Sequence, residues 1–276
     1  METLDQCLSC KACKTECPSN VDISKLKAEY TAQRYRAAGG PPLAALAFGN
    51  VRLLNRLGSM TAPMANVVNR LTPVKWLLEK MLKIDRRRSV PAFEAPLARD
   101  LGASASDRAG DGRPIVALFG DCFTMYNDPR IGRESRRVLD AFGYRVQLAN
   151  AGCCGRAKIS TGLLSQAIDE IDTTIEKLRP WIESDDVRAI VVAEPSCLSA
   201  FKDEWLTLKL RTPILLRKKL AEKSWLIEQF VEKKWDSHPQ RAEFRANAVS
   251  GDGEFFLHGH CHQKALWGSD SSAALL

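Results

Sequence analysis

Two rhythms of apolar and polar positions divide the chain. In residues 21–38, Ile23, Leu26 and Tyr30 fall on one face of a polar, helix-favouring stretch. Leu43, Leu46, Ala47, Val51, Leu54 and Leu57 recur at three- and four-residue steps, predicting a second helix after Pro41-Pro42. Val67, Leu71, Val74, Leu78 and Leu82 repeat the pattern, with Pro73 expected to kink or split that helix. These stripes read as core or docking faces. Residues 90–113 hold Pro, Gly, Ser, Ala and Asp without periodicity and read as a linker between a domain of residues 1–89 and one of residues 114–276. Beyond it, short apolar runs at 114–120, 144–148, 189–193 and 254–257 read as strands. Helical patterns at 131–142, about 160–181 and on to about 235 alternate with them. Strands alternating with helices predict an open parallel α/β sheet.

Composition narrows the class. Of 276 residues, 45% are apolar and 26% charged, which excludes disorder and supports one or two cores. The uncharged, apolar-leaning stretch 57–69 is broken by Gly, Ser, Pro and Asn, and no transmembrane segment is expected. No basic-then-apolar leader opens the chain, and a soluble, cytoplasmic protein is the expectation. The formal charge of +7 is a mild surplus. Its densest runs, Arg86-Arg87-Arg88 and Arg217-Lys218-Lys219, read as solvated faces or a weak surface for an acidic partner, and no nucleic-acid-binding motif accompanies them.

The nine cysteines carry the chemistry. Their odd number and tight clustering argue against a disulfide framework. Cys7, Cys10, Cys13 and Cys17 follow C-x2-C-x2-C-x3-C-P, the ligand run of bacterial [4Fe–4S] ferredoxins. Two-residue gaps let a loop bring three thiolates to three corners of a cubane. Cys17 then faces elsewhere, and Pro18 stops the loop from closing into a helix. Structural zinc usually takes two separated pairs instead. In two-cluster ferredoxins the fourth Cys of such a run serves the other cluster, so a single run points to a ligand on a remote Cys or on another polypeptide. Lys11 and Lys14 lie inside the run and read either as solvated or as charge favouring a reduced cluster.

Cys122, Cys153, Cys154, Cys197 and Cys261 each fall just after a predicted strand, where loops meet at the carboxyl edge of an open sheet. Gly152 and Gly155 flank the adjacent Cys153-Cys154 and permit close approach of a cluster. Four loops bringing thiols to one edge predict a metal or redox site. Its occupant is left open between a second iron–sulfur cluster, zinc and a thiol pair. His258, His260 and His262 alternate, so on an extended strand they share a face and offer an alternative zinc site, with Cys261 opposite. The reading against them is that they are hydrogen-bonding loop residues. Asp121-Cys122 and His260-Cys261 look like openings of two equivalent units. The spacing of the first unit would place the second Cys pair beyond residue 276, so the second repeat is expected to be truncated.

Three stretches together resemble a known arrangement: residues 7–22 (CLSCKACKTECPSNVD), 194–205 (EPSCLSAFKDEW) and 258–266 (HGHCHQKAL). They are similar to the C-terminal, cysteine-rich CCG part of FAD-linked D-2-hydroxy-acid dehydrogenases of the D-lactate and D-2-hydroxyglutarate type. Glycolate oxidase iron–sulfur subunits and the cysteine-rich subunit of heterodisulfide reductases share that domain. The resemblance implies a helical, ferredoxin-like [4Fe–4S] segment followed by an α/β CCG domain. It also implies that Cys7, Cys10 and Cys13 hold one cubane, that Cys17 serves a cluster begun upstream, and that the remaining five cysteines occupy the CCG positions. It implies an electron-transfer module that takes electrons from reduced flavin. FAD would then lie on a missing region or on a dehydrogenase partner, which could hold the chain peripherally at the inner membrane. The chain lacks an FAD domain and an upstream cysteine motif, and Ala200 stands where some members complete a Cys-x-x-Cys. A fragment or split subunit without dehydrogenase activity of its own is therefore expected. A zinc-binding metalloenzyme and a non-catalytic docking subunit are the alternatives.

Overall fold

The computed structural model describes residues 2–102, 112–243 and 256–276. Its N-terminal part is helical: α1 (Ala12–Glu16), α2 (Ile23–Ala37), α3 (Leu43–Gly49), α4 (Val51–Met60), α5 (Ala62–Val68) and α6 (Thr72–Leu82). Asp22 caps α2 by accepting from the Lys25 N–H at 3.1 Å. The one helix expected from residue 43 is two, broken at Asn50. There the side-chain amide donates to the Leu46 carbonyl at 2.8 Å in competition with the backbone ladder. Pro73 splits rather than kinks its helix, sitting in the first turn of α6 where a missing N–H costs nothing. The face that α4 buries carries Asn55 and Ser59, while Leu54 and Leu57 of the predicted stripe stay 45% and 53% exposed. That stripe is therefore not core.

Ala28 and Ala32 of α2 are buried in one core cluster with Ile171 and Ile175, and polar contacts hold α4 and α5. Asn55 donates to Asn127 Oδ1 at 2.6 Å, and Asn66 exchanges two 2.8 Å bonds with the backbone of Phe93. Residues 90–102 of the expected linker form a strap laid against α7, at the edge of the sheet-bearing part. The Glu94 and Leu97 N–H groups donate to the Tyr126 and Met125 carbonyls, and Leu97 and Leu101 are buried. Residues 103–111 of that linker lie outside the described residues.

The second part is the expected parallel sheet. In chain order come β1 (Ile115–Phe119), α7 (Cys122–Tyr126), α8 (Pro129–Ala141), β2 (Arg145–Ala149), α9 (Arg156–Ser160), α10 (Leu164–Glu183), β3 (Val187–Val192), α11 (Pro195–Ser199), a π-helical turn (Ala200–Glu204), α12 (Ile214–Lys223), β4 (Ser224–Leu226), α13 (Ile227–Lys233), α14 (Cys261–Leu266) and α15 (Asp270–Ala274). The strands pair in parallel in the order β2-β1-β3-β4. Both faces are covered, which is why the strands read as continuous apolar runs. Ala117, Phe119, Ile190 and Val192 pack with Ile171, Leu178 and Trp205 on one face. Val116, Leu118, Ala189 and Val191 pack with Leu97, Leu139 and Phe230 on the other. Strand β4 interrupts the region where the pattern predicts helix on to about 235. Of the strand expected at 254–257, residues 254 and 255 lie outside the described residues, and Phe256 and Leu257 are irregular and exposed. Among the described residues no helix is long and apolar enough to cross a membrane.

Candidate metal centres at the carboxyl edge of the sheet

Because β1 and β3 are neighbours while β1 leads to β2 on one side and β3 to β4 on the other, their connections diverge and open a crevice at the carboxyl ends of the strands. Cys122 enters it as the first residue of α7, fixed by Asp121, whose carboxylate accepts from the Phe123 and Thr124 N–H groups at 3.0 Å. Cys197 enters on α11, capped by Glu194 at 3.1 Å from the Ser196 N–H. Between them, Cys153 and Cys154 sit in a turn that only glycine permits. Gly152 and Gly155 have φ of +145° and +77°, and a Cβ on Gly155 would lie 2.7 Å from Ile171 Cγ1.

The four sulfurs form a chain of contacts. Cys122 Sγ is 3.7 Å from Cys153 Sγ, Cys153 contacts Cys154, and Cys154 Sγ is 3.0 Å from Cys197 Sγ. Cys153 also accepts from the Gly155 N–H at 3.4 Å. It is the thiol that ionises first, because Cys122, Cys154 and the Gly155 N–H all donate to it and the Arg52 charge is near. Its donor Cys122 and the buried Cys154 are correspondingly pushed up. The bond to Cys154 acts to lower the Cys197 pKa, but burial and the carboxylates of Asp121 and Glu194 together outweigh it and push it up to about 11. Asp121 is itself buried with its Oδ2 unpartnered, and burial raises its pKa. Among the described residues no three Cys, His, Asp or Glu side chains close around one metal position. The thiols make paired contacts instead.

The helix of the N-terminal run, α1, packs against α14, which in turn packs against α11. Ser9 and Lys11, on either side of Cys10, adopt left-handed φ of 54° and 67°, a conformation that costs non-glycine residues and needs outside support. Arg156 supplies it to the first, donating to the Ser9 carbonyl at 2.7 Å. The π-turn supplies it to the second: the Lys11 ammonium, with no solvent exposure, meets Asp203 at 2.5 Å and Glu204 at 2.7 Å. Lys14 and Lys25 also reach Asp203, at 2.8 and 2.7 Å, and Arg156 reaches Glu204 at 3.2 Å. The reading of Lys11 as a solvated charge does not describe a lysine buried and paired this way. The run also contains a short helix, α1, instead of being loop throughout. Cys17 ends α1, where the backbone N–H groups of Val21, Ser19 and Asn20 lower its pKa. The π-turn faces both sites, because Trp205 immediately after it donates from Nε1 to the Cys154 carbonyl at 3.0 Å.

The histidines do not share a strand face. His258 is exposed, and His260 caps α14 by accepting from the His262 N–H at 3.2 Å. His262 is buried, with Nδ1 2.8 Å from Ser199 Oγ and Nε2 3.4 Å from Arg156. The Ser199 hydroxyl donates to the Ser196 carbonyl, so His262 carries its proton on Nδ1 and gives it to Ser199. Burial and then the charges of Arg156 and Lys11 hold its pKa down at about 3, so it is neutral. This is the hydrogen-bonding role. Cys261, exposed at the start of α14, stands apart from the chain of thiol contacts, on a helix packed against α1 and α11.

Residues 116–202 match the family of cysteine-rich domains designated CCG. The chain carries a CCG domain. It is 30% identical over 193 residues to one subunit of the anaerobic glycerol-3-phosphate dehydrogenase of Escherichia coli (strain K12), covering 68% of this chain and 47% of that one. Against the glycolate oxidase iron-sulfur subunit of the same strain, identity is 27% over 267 residues, 94% of this chain and 59% of the other. Against the D-2-hydroxyglutarate dehydrogenase of that strain, identity is 22% over 268 residues, 94% of this chain and 25% of the other. The chain therefore spans about half the length of the first two of these relatives. No solved structure matches it.

The match to the CCG domain takes in Cys122, Cys153, Cys154 and Cys197 and stops short of Cys261. Sequence reasoning missed four residues that build the site: Arg52, Arg156, Asp203 and Glu204. Asp203 and Glu204 lie inside the 194–205 motif, and Arg156 directly follows Cys-Cys-Gly. For Arg52 the signal was a polar row, Arg52, Asn55 and Ser59, opposite the apolar stripe of its helix.

Proposed function

We propose that this chain is an iron–sulfur electron-transfer module of a flavin-linked 2-hydroxy-acid dehydrogenase or oxidase. In this reading it takes electrons from reduced flavin on a partner domain or subunit and passes them to an acceptor. The observation that carries the reading is the π-turn, which braces two all-sulfur donor sets at once: the Cys7–Cys17 run through Lys11 and the CCG thiols through Trp205. Thiolates in a shell of N–H donors suit iron–sulfur clusters. Ser9 N–H donates to Cys7 Sγ at 3.4 Å, as Gly155 N–H does to Cys153. Cys7, Cys10 and Cys13 are assigned to one cubane of a ferredoxin-like segment and Cys17 to an adjoining one. Cys122, Cys153, Cys154 and Cys197 are assigned to a second centre, with Cys261 added on its sequence position alone. When bound, such clusters exchange single electrons, which lets two-electron flavin chemistry feed a one-electron path. Four thiols also suit zinc, the competing occupant of the second set.

The flavin-bearing partner is assigned to the outer face of α4–α6, where Leu53, Leu57, Met60, Met64, Trp76 and Met81 are all exposed. Residues 43–88 hold nine Lys and Arg against two acidic residues, so the partner's contact surface is apolar with an acidic rim.

Anaerobic reconstitution with iron and sulfide tests the assignment through variants. C10S is expected to abolish the reduced-cluster EPR signal of the N-terminal run and spare any second signal, and C154S the reverse. Signals unaffected by either substitution would contradict it.

A further inference from the structure

Arg52 is carried by α4 from the helical layer to the carboxyl edge of the sheet. Nη1 donates to the Gly120 carbonyl at 2.8 Å and Nη2 to Asn150 Oδ1 at 2.8 Å. Gly120 stands two residues before Cys122 and Asn150 three before Cys153, so one guanidinium spans the two loops that deliver the Cys122–Cys153 thiol contact. It lies 5.7 Å from the Tyr126 ring centroid, a placement that favours the cation. The other cations of that cleft, Arg56 and Lys177, are exposed and screened by solvent.

We propose that Arg52 is the fixed counter-charge of the CCG site, set to offset the negative charge that thiolate ligation and added electrons place on Cys122 and Cys153. The inference rests on the reading of those cysteines as metal ligands and adds to it the residue that tunes them. Two carbonyl-type acceptors fix the guanidinium without neutralising it, whereas Lys11 at the other site is cancelled by carboxylates. A positive charge held beside a cluster favours its reduced, more negative state and raises its potential. Arg52 is thus a positioning residue as well, and its two roles separate on substitution.

The test is an EPR-monitored redox titration of anaerobically purified full chain as wild type, R52K and R52Q, with iron and zinc content measured on each. R52Q is expected to make reduction of the second centre about tenfold less favourable, a fall of about 59 mV for one electron. R52K keeps the charge and is expected to stay near the wild-type potential, and the N-terminal cluster should not move in either variant. An unchanged potential in R52Q, or an equal fall in R52K and R52Q, would overturn the counter-charge role. If wild type shows no second reducible centre, the electron-transfer reading of the CCG thiols fails on its own. The counter-charge is then read from zinc affinity by chelator competition, expected about tenfold weaker in R52Q than in wild type or R52K. Equal affinities would overturn it.

Discussion

Lys11 shows how a single residue joins the two halves of the site. Its backbone takes a left-handed turn that places Cys10 and Cys13 on either side, and its ammonium is cancelled by Asp203 and Glu204 in full burial. Removing one partner of a buried ion pair leaves the other charged and desolvated. Lys11→Met is therefore expected to cost about 3 kcal/mol in a denaturant melt, the low end of such losses because Lys14, Lys25 and Arg156 still face the carboxylates. Gly155→Ala forces a Cβ against Ile171 at φ of +77° and is expected to lower stability by about 1–3 kcal/mol and to loosen the Cys153-Cys154 turn. The same melt measures it. The two glycines around the cysteine pair were legible in the sequence. The burial of Lys11 was not, since a lysine among cysteines carries no mark of its pairing with Asp203, 192 residues away, and with Glu204 beside it.

At the scale of elements, the π-turn Ala200–Glu204 is the hinge of the architecture. It lets consecutive Asp203 and Glu204 both meet Lys11, and the following Trp205 meets the Cys154 carbonyl. Burial alone would raise the Asp203 pKa, but Lys11, Lys14 and Lys25 outweigh it and hold the carboxyl well below its usual range. The unfolded chain therefore binds the proton more readily. The resulting stability is complete above the ordinary carboxylate value of about 3.9 and is lost as pH falls through the folded value. Asp203→Asn is expected to flatten the acid limb of a stability profile run from about pH 5 to about pH 2. The strands β1, β2 and β3 were legible because burial on both faces makes them continuous apolar runs. Strand β4 was not, because three residues carry no period, and the pattern of a regular helix does not announce a π-turn. The split at Asn50 was hidden for a related reason: an apolar stripe reports which face is shared, not whether the helix under it is continuous.

Across the whole molecule, the basic excess and much of the exposed apolar surface belong to one segment of the chain. Residues 43–88 hold nine basic and two acidic residues, an excess equal to that of the entire chain, and the rest is balanced. The stripes that periodicity finds there are real, but packing alone decides whether a stripe meets the protein's own core. Leu57, Met64 and Trp76 are 53%, 65% and 48% exposed. Replacing each with Ser is expected to change the melting free energy by no more than about 0.5 kcal/mol, as at other surface positions. A core stripe would lose several times that per residue.

Two all-sulfur donor sets braced by one turn make metal content the decisive quantity. Iron, acid-labile sulfide and zinc per chain on anaerobically purified protein test the iron–sulfur reading most directly. At least about four irons with matching sulfide are predicted, the content of one [4Fe–4S] cluster. Zinc without iron or acid-labile sulfide would contradict it.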